Sequence, residues 1–221
     1  MKKIISFIMA VLMLCALCVP AFADDAPTSG QCGKDLYWQI SDDNTVLTFT
    51  GSGAMWDYEY WRIYGDIVRW WDYRDSVTTI NFPKEISHIS QYAFCYFSKI
   101  ENVWIPSDTV TLGKQSFFGC GNLWNVAIGT ADGKISDKIT IGSECFEECE
   151  NLSGVFVSRA LKTMDWDAFE QCYMIQGFYY GGTEQEYKDN VTVDMGDDNG
   201  NECITTATRF YRDGIWDSSE W

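Results

Sequence analysis

His88 is the only histidine of the 221 residues, so a His-based triad or a multi-histidine metal site has nothing further to draw on. It lies between Ile86 and Ile89, where a surface or hydrogen-bonded histidine is expected. No GxSxG, HExxH or phosphate-loop spacing occurs. Carboxylates outnumber basic side chains 32 to 16, so glycosidase-like pairs arise anywhere and single out nothing. Asp194, Asp197, Asp198, Asn199, Asn201 and Glu202 gather oxygens of the kind calcium takes. Counted from Asp197, however, Glu202 stands where an EF-hand needs glycine and Thr208 where it needs glutamate, so a solvated turn is expected. Cys145 and Cys149 have no histidine or second CxxC beside them, which argues against zinc. The chain reads as a non-enzyme without metal or cofactor.

The remaining chemistry is aromatic, and it recurs. Phe94, Phe117, Phe146 and Phe169 follow one another at spacings of 23, 29 and 23 residues. Five residues before each stands Ile89, Leu112, Ile141 or Met164; six after, Ile100, Leu123, Leu152 or Ile175. The ninth and eleventh positions after each are apolar throughout: Val103 and Ile105, Val126 and Ile128, Val155 and Val157, Phe178 and Tyr180. A period of about 20–30 residues with apolar columns in register marks a leucine-rich-repeat solenoid. If the ninth and eleventh positions face inward, strand alternation turns the tenth outward: Trp104, Ala127, Phe156, Tyr179. Trp124 sits at the strand entrance in the seventh column. Trp104, Trp124, Phe156 and Tyr179 are therefore the candidate binding residues, because an exposed aromatic patch usually marks a binding surface. The competing expectation is that the 131–137 insertion or the N-terminal aromatics cover them.

IGSECFEECENLSGVFV (Ile141 to Val157) and ISQYAFCYFSKIENVWIP (Ile89 to Pro106) resemble the BspA-like leucine-rich repeats of bacterial surface and secreted proteins. Cys32 to Tyr58 is similar to that family's N-terminal cap, and Phe178 to Asp189 to its C-terminal close. The resemblance implies an α/β repeat solenoid of short parallel strands and short helical turns, closed by a β-hairpin at the N-terminus and a β-rich cap at the C-terminus. It also implies adhesion to an extracellular protein or to a host or neighbouring-cell surface component, with no catalytic residues. A carbohydrate-binding module using the exposed rings is the alternative. Ala131 to Asp137 departs from the family by lengthening one period, and a loop is expected there.

Lys2 and Lys3, the apolar run Ile4 to Val19 and Ala21-Phe22-Ala23 form a secretory signal peptide, too short for a membrane span. Neither Cys15 nor Cys18 lies in a lipid-attachment pattern. The mature chain would have 198 residues, with 14 basic and 32 acidic side chains. Its charge of −18 disfavours nucleic acid and anionic membranes, and a secreted or cell-surface-associated location follows. Seven cysteines would remain, of which Cys120, Cys149 and Cys172 share one repeat column and read as packed core thiols. Residues 24–75 form the expected N-terminal cap, 76–181 the repeats and 182–221 the C-terminal cap. Leu36 to Thr50 alternates like a hairpin, which Gly51-Ser52-Gly53 is expected to end. The aromatic cluster from Trp56 to Tyr73 is expected to cover the first coil, with Trp71 in the phenylalanine column. Thr183 to Lys188 suits a capped helix, and strands are expected at Val191 to Val193 and Thr205 to Tyr211. Edman sequencing of protein recovered from culture medium should begin at Asp24; an intact Met1 there would remove the export argument.

Overall fold

The computed structural model describes residues 26–58, 68–196 and 200–211. The export segment, Tyr60, Trp61, Tyr64 and the Asp197–Asn199 part of the acidic turn lie outside them. Each coil carries two short strands. One set, β5 (Ile86–Ile89), β7 (Thr109–Leu112), β9 (Lys138–Ile141), β11 (Leu161–Met164) and β13 (Thr192–Val193), pairs in parallel in a nine-stranded sheet. The other, β6 (Asn102–Ile105), β8 (Asn125–Ile128), β10 (Gly154–Val157), β12 (Gly177–Tyr180) and β14 (Thr208–Tyr211), forms a five-stranded parallel sheet. The ninth-to-eleventh columns read from the sequence account for this five-stranded sheet alone. The column five before each phenylalanine builds the second, because Val110 and Leu112, or Ile139 and Ile141, also alternate inward.

The third side carries the phenylalanines on consecutive i→i+3 turns, such as Ala93 N–H to Ser90 O and Phe97 N–H to Phe94 O. Left-handed residues two before and two after each phenylalanine keep these turns from becoming helix: Tyr92 and Tyr96, Gln115 and Gly119, Glu144 and Glu148, Asp167 and Gln171. A left-handed L-residue costs about 1–2 kcal/mol. The conformation lets alternate N–H groups bond sideways to the next coil: Tyr92, Phe94 and Tyr96 donate to Lys114, Ser116 and Phe118 at 3.1, 2.8 and 2.7 Å. The same ladder links Phe117 to Cys145 O and Phe146 to Ala168 O. Each bond contributes about 1 kcal/mol net, which roughly cancels the strain, so burial of the ring decides the balance.

Those rings form a column. Phe94–Phe117, Phe117–Phe146 and Phe146–Phe169 stack at 5.1, 5.3 and 5.2 Å, all fully buried. The cysteine column serves it. Cys120, Cys149, Cys172 and Cys203 donate their thiols to the carbonyls of Phe94, Phe117, Phe146 and Phe169, at 3.2, 3.3, 3.0 and 2.9 Å. Burial pushes the Cys120 and Cys149 thiols well above their ordinary pKa, so they stay protonated donors.

Both ends answer the ladder. At the first coil Trp70, rather than the expected Trp71, joins the column: its ring stacks on Phe94 at 5.9 Å and its indole N–H bonds Ala93 O at 2.8 Å. Trp71 opens a 3-10 turn and is only partly buried. The hairpin is β2 (Gly33–Ile40) with β3 (Val46–Met55), preceded by an antiparallel β1 (Ser29–Gln31). Gly51 and Gly53 do not break it. They adopt φ 97° and 91° within β3, and a Cβ at Gly51 would lie 2.0 Å from Asp35 O. β3 thereby reaches both β4 (Thr79–Asn81) and β5, fastening the cap to the solenoid.

Past β12 the helix α1 (Glu184–Asn190) opens on the Thr183–Glu186 capping box. The chain then continues in register without a phenylalanine. A second short helix, α2 (Glu202–Thr206), brings Cys203 to the thiol column and replaces the start of the strand expected from Thr205. Within the acidic turn Asn201 is fully buried; its Oδ1 accepts Phe169 N–H at 3.1 Å while its amide bonds Asp165 O and Asp194 O. Phe146→Ala should cost about 3–5 kcal/mol by opening a cavity in the column. Urea unfolding will show it as a lower midpoint, and a midpoint equal to the parent would place the ring outside the core.

Candidate functional site

The five-stranded sheet presents its outward residues in strict register: Trp104 beside Ala127, Ala127 beside Phe156, Phe156 beside Tyr179, Tyr179 beside Phe210. Phe156 and Tyr179 stack at 4.3 Å with planes 10° apart, and Tyr179 and Phe210 at 4.5 Å with planes 9° apart. These separations follow the strand spacing, about 4.8 Å. The rings therefore stand side by side along the ladder, with faces on one another and edges toward solvent. Each such pair contributes about 0.5–1.5 kcal/mol beyond its burial.

Glycine makes room for the stack. Gly154 and Gly177 stand two residues before Phe156 and Tyr179 on the same side of the sheet, and a Cβ there would lie 2.9 Å from Phe156 Cε2 and 2.8 Å from Tyr179 Cε2. Each ring thus leans back along its strand over bare backbone.

Trp104 and Trp124 are 45 % and 55 % exposed. Ala127 leaves no open gap between Trp104 and Phe156, being only 1 % exposed. Trp104 leans across β8, its indole N–H reaching Gly129 O at 3.4 Å. The inserted loop does not cover these rings. Asp108 holds its start at the corner beyond the strands, accepting from Thr130 N–H at 2.9 Å and from Ser158 Oγ at 2.6 Å. Among the N-terminal aromatics, Trp70 and Tyr73 are core, Tyr58 and Trp71 pack on it, and Trp56 is exposed.

The structure thus brings Phe156 and Tyr179 together, sets Trp104 two strands away on the same row and leaves Trp124 at its entrance. It adds Phe210, which sequence reasoning missed: Gly200 occupies the phenylalanine position of that coil, so the marker from which the tenth position is counted is absent. The alternation of Thr208 to Tyr211, with Tyr211 packed on the core, was the available signal.

Elsewhere, His88 pairs with Asp57 at 2.9 Å. Coil stacking crowds Glu144, Glu147, Glu148, Asp167 and Glu170 on the turn face, where burial and then Glu170 push Glu147 up to about 7. Among the described residues no group of His, Cys, Asp and Glu is placed to hold a metal ion, and no helix is long and apolar enough to cross a membrane.

The family pattern described as BspA type leucine rich repeat region, in six copies, matches residues 71–191, more than half of the chain. The chain belongs to this family. Membership supports a protein-interaction role carried by the repeats and points to a non-catalytic fold. No curated protein matches the chain significantly. Among solved structures, a leucine-rich repeat protein from Eubacterium ventriosum is 17 % identical over 72 % of this chain and 44 % of its own, with a TM-score of 0.50, which supports the solenoid fold. A leucine rich cell surface protein from Faecalibacterium prausnitzii is 16 % identical, over 72 % of this chain and 56 % of that one, with a TM-score of 0.34. A leucine-rich repeat protein from Bacteroides ovatus is 18 % identical, over 67 % and 46 %, with a TM-score of 0.35. This BspA-type chain therefore spans less than two thirds of each of these structures.

Gly177→Val should tilt Tyr179 out of its stack, since the added methyls occupy the place of the ring. Circular dichroism will show a changed near-ultraviolet aromatic band over an unchanged far-ultraviolet spectrum; an unaltered aromatic band would mean that Tyr179 does not rest on this glycine.

Proposed function

We propose that the protein is exported and binds another protein through the outer face of its five-stranded sheet. Trp104, Trp124, Phe156, Tyr179 and Phe210 are the contact residues. The observation that carries this reading is an aromatic row on an acidic chain whose strand neighbours are uncharged, Glu101 standing beside Trp124 at the entrance alone. The outward positions of the five strands hold Asn102, Asn125, Gly154, Gly177 and Thr208 beside the rings, while the chain as a whole carries −16. Charge depletion with Trp, Tyr and Phe enrichment is the composition of protein interface cores. Large aromatics there contribute about 2 kcal/mol or more as hot spots.

Ring orientation favours a protein over a saccharide. A sugar stacks on an exposed aromatic face, and Phe156, Tyr179 and Phe210 turn their faces largely to one another. Their edges carry the positive part of the ring quadrupole and suit carbonyl oxygens or the faces of a partner's rings. Export and a secreted or cell-surface location rest on the Lys2 to Ala23 pattern.

Replacing Trp104 and Trp124 together with Ser should leave the melting temperature within about 3 °C, because both side chains are half-exposed. Capture of extracellular proteins by the immobilised chain should fall at least tenfold. Undiminished capture by the folded double variant would remove this surface from consideration, and strong hits on a glycan array with weak protein capture would favour the saccharide reading.

A further inference from the structure

β14 ends the five-stranded sheet, and no described strand pairs with its outer edge. In a parallel ladder alternate residues direct N–H and C=O to the same neighbour, so this edge keeps main-chain donors and acceptors for one further strand. The ring stack stops at the same place. One face of Phe210 lies on Tyr179, and the ring is 45 % exposed. Among the described residues, backbone ladder and aromatic stack thus end on one strand, in one register.

We propose that this edge takes up one extended segment of a partner protein as a sixth parallel strand, with an aromatic residue seated beside Phe210. This is strand addition, in which main-chain bonds supply affinity and alternate side chains supply specificity. It deepens the interaction reading above and rests on it. Register dictates the segment. Its aromatic residue continues the outward stack at the 4.3–4.5 Å spacing already present. The next residue, beside Tyr211, turns inward toward the Tyr187–Tyr211 pair and must be apolar. The residue two before the aromatic must be small, because in β10 and β12 each ring lies over a glycine at that position. Small, apolar, aromatic, apolar is the pattern of Gly154–Val157 and Gly177–Tyr180 themselves. The chain's charge of −16 favours a basic segment and opposes a second copy of itself.

The test is fluorescence polarisation of a labelled peptide of sequence KKGVFVKK with the full chain. Three controls accompany it: the same peptide N-methylated at alternate amides, the same peptide with Ser for Phe, and the Phe210→Ser variant of the chain. Saturable binding is expected, weakened at least tenfold by each change, with the melting temperature of Phe210→Ser lowered by no more than about 5 °C for the lost Tyr179 stack. N-methylation abolishes strand pairing while leaving the side chains, so equal binding of that peptide would overturn the proposal. So would failure of the parent peptide to bind, or binding only after removal of residues 212–221, since the chain's own end would then hold the edge. The Trp104→Ser, Trp124→Ser double variant lies away from this edge and should keep peptide binding. A failed peptide with intact protein capture would thus reject strand addition alone, and the reverse would reject the broader surface alone.

Discussion

A coil of this solenoid cannot satisfy its own main chain. Outside its i→i+3 turns, its N–H and C=O groups point along the solenoid axis, where the coils before and after meet them. On two sides the answer is a parallel ladder. On the third, left-handed residues aim alternate N–H groups forward, and a thiol from the next coil adds a donor to the carbonyl of each phenylalanine, beside the turn's own N–H at Phe94, Phe146 and Phe169. The cysteine column is thus more than small hydrophobic filling. It supplies a donor from the neighbouring coil, so that each buried phenylalanine carbonyl is bonded across the coils as well as packed. The ends of the ladder meet the same demand with side chains: an indole N–H from Trp70 at the first coil, an amide oxygen from Asn201 at the last.

How much of this was legible follows from what repetition records. The apolar columns, the stacked phenylalanines and the outward row of Trp104, Phe156 and Tyr179 were readable, because position within a period fixes the face of a strand. Trp124 was readable as the entrance of the row for the same reason. Phe210 was not, since its coil carries Gly200 in place of the phenylalanine from which positions are counted. The second sheet was missed because five-before columns such as Ile89 and Leu112 look alike in a helix, a turn or a strand. Trp71 was preferred to Trp70 by spacing alone, yet Trp70 carries the indole that can close the first carbonyl row. Hydrogen-bond demand at a solenoid end outweighs strict periodicity.

The role of Asn201 belongs to the same class. In sequence it sits among acidic residues that suggest a solvated turn or a cation. In the fold it is fully buried and makes three hydrogen bonds to main chain, the work of a missing coil condensed into one side chain. An asparagine can do this because it carries an acceptor and two donors at once, which an aspartate cannot.

The surface row inherits its geometry from this interior. Phe156 and Tyr179 stand 4.3 Å apart because their strands are neighbours, and the strands are neighbours because Phe146 and Phe169 stack beneath the adjoining turns at 5.2 Å. The 29-residue period shows how firmly that coupling holds. Extra residues within a strand would have broken its pairing register, and any odd number would have turned every outward side chain to the inner face. The chain instead places the surplus between β8 and β9, where Asp108 gathers Thr130 and Ser158 at a corner of the solenoid. Val126 still meets Val155 and Ala127 still meets Phe156. A length change at the corner therefore leaves both the core and the aromatic row in register, whereas a change inside a strand would lose both together.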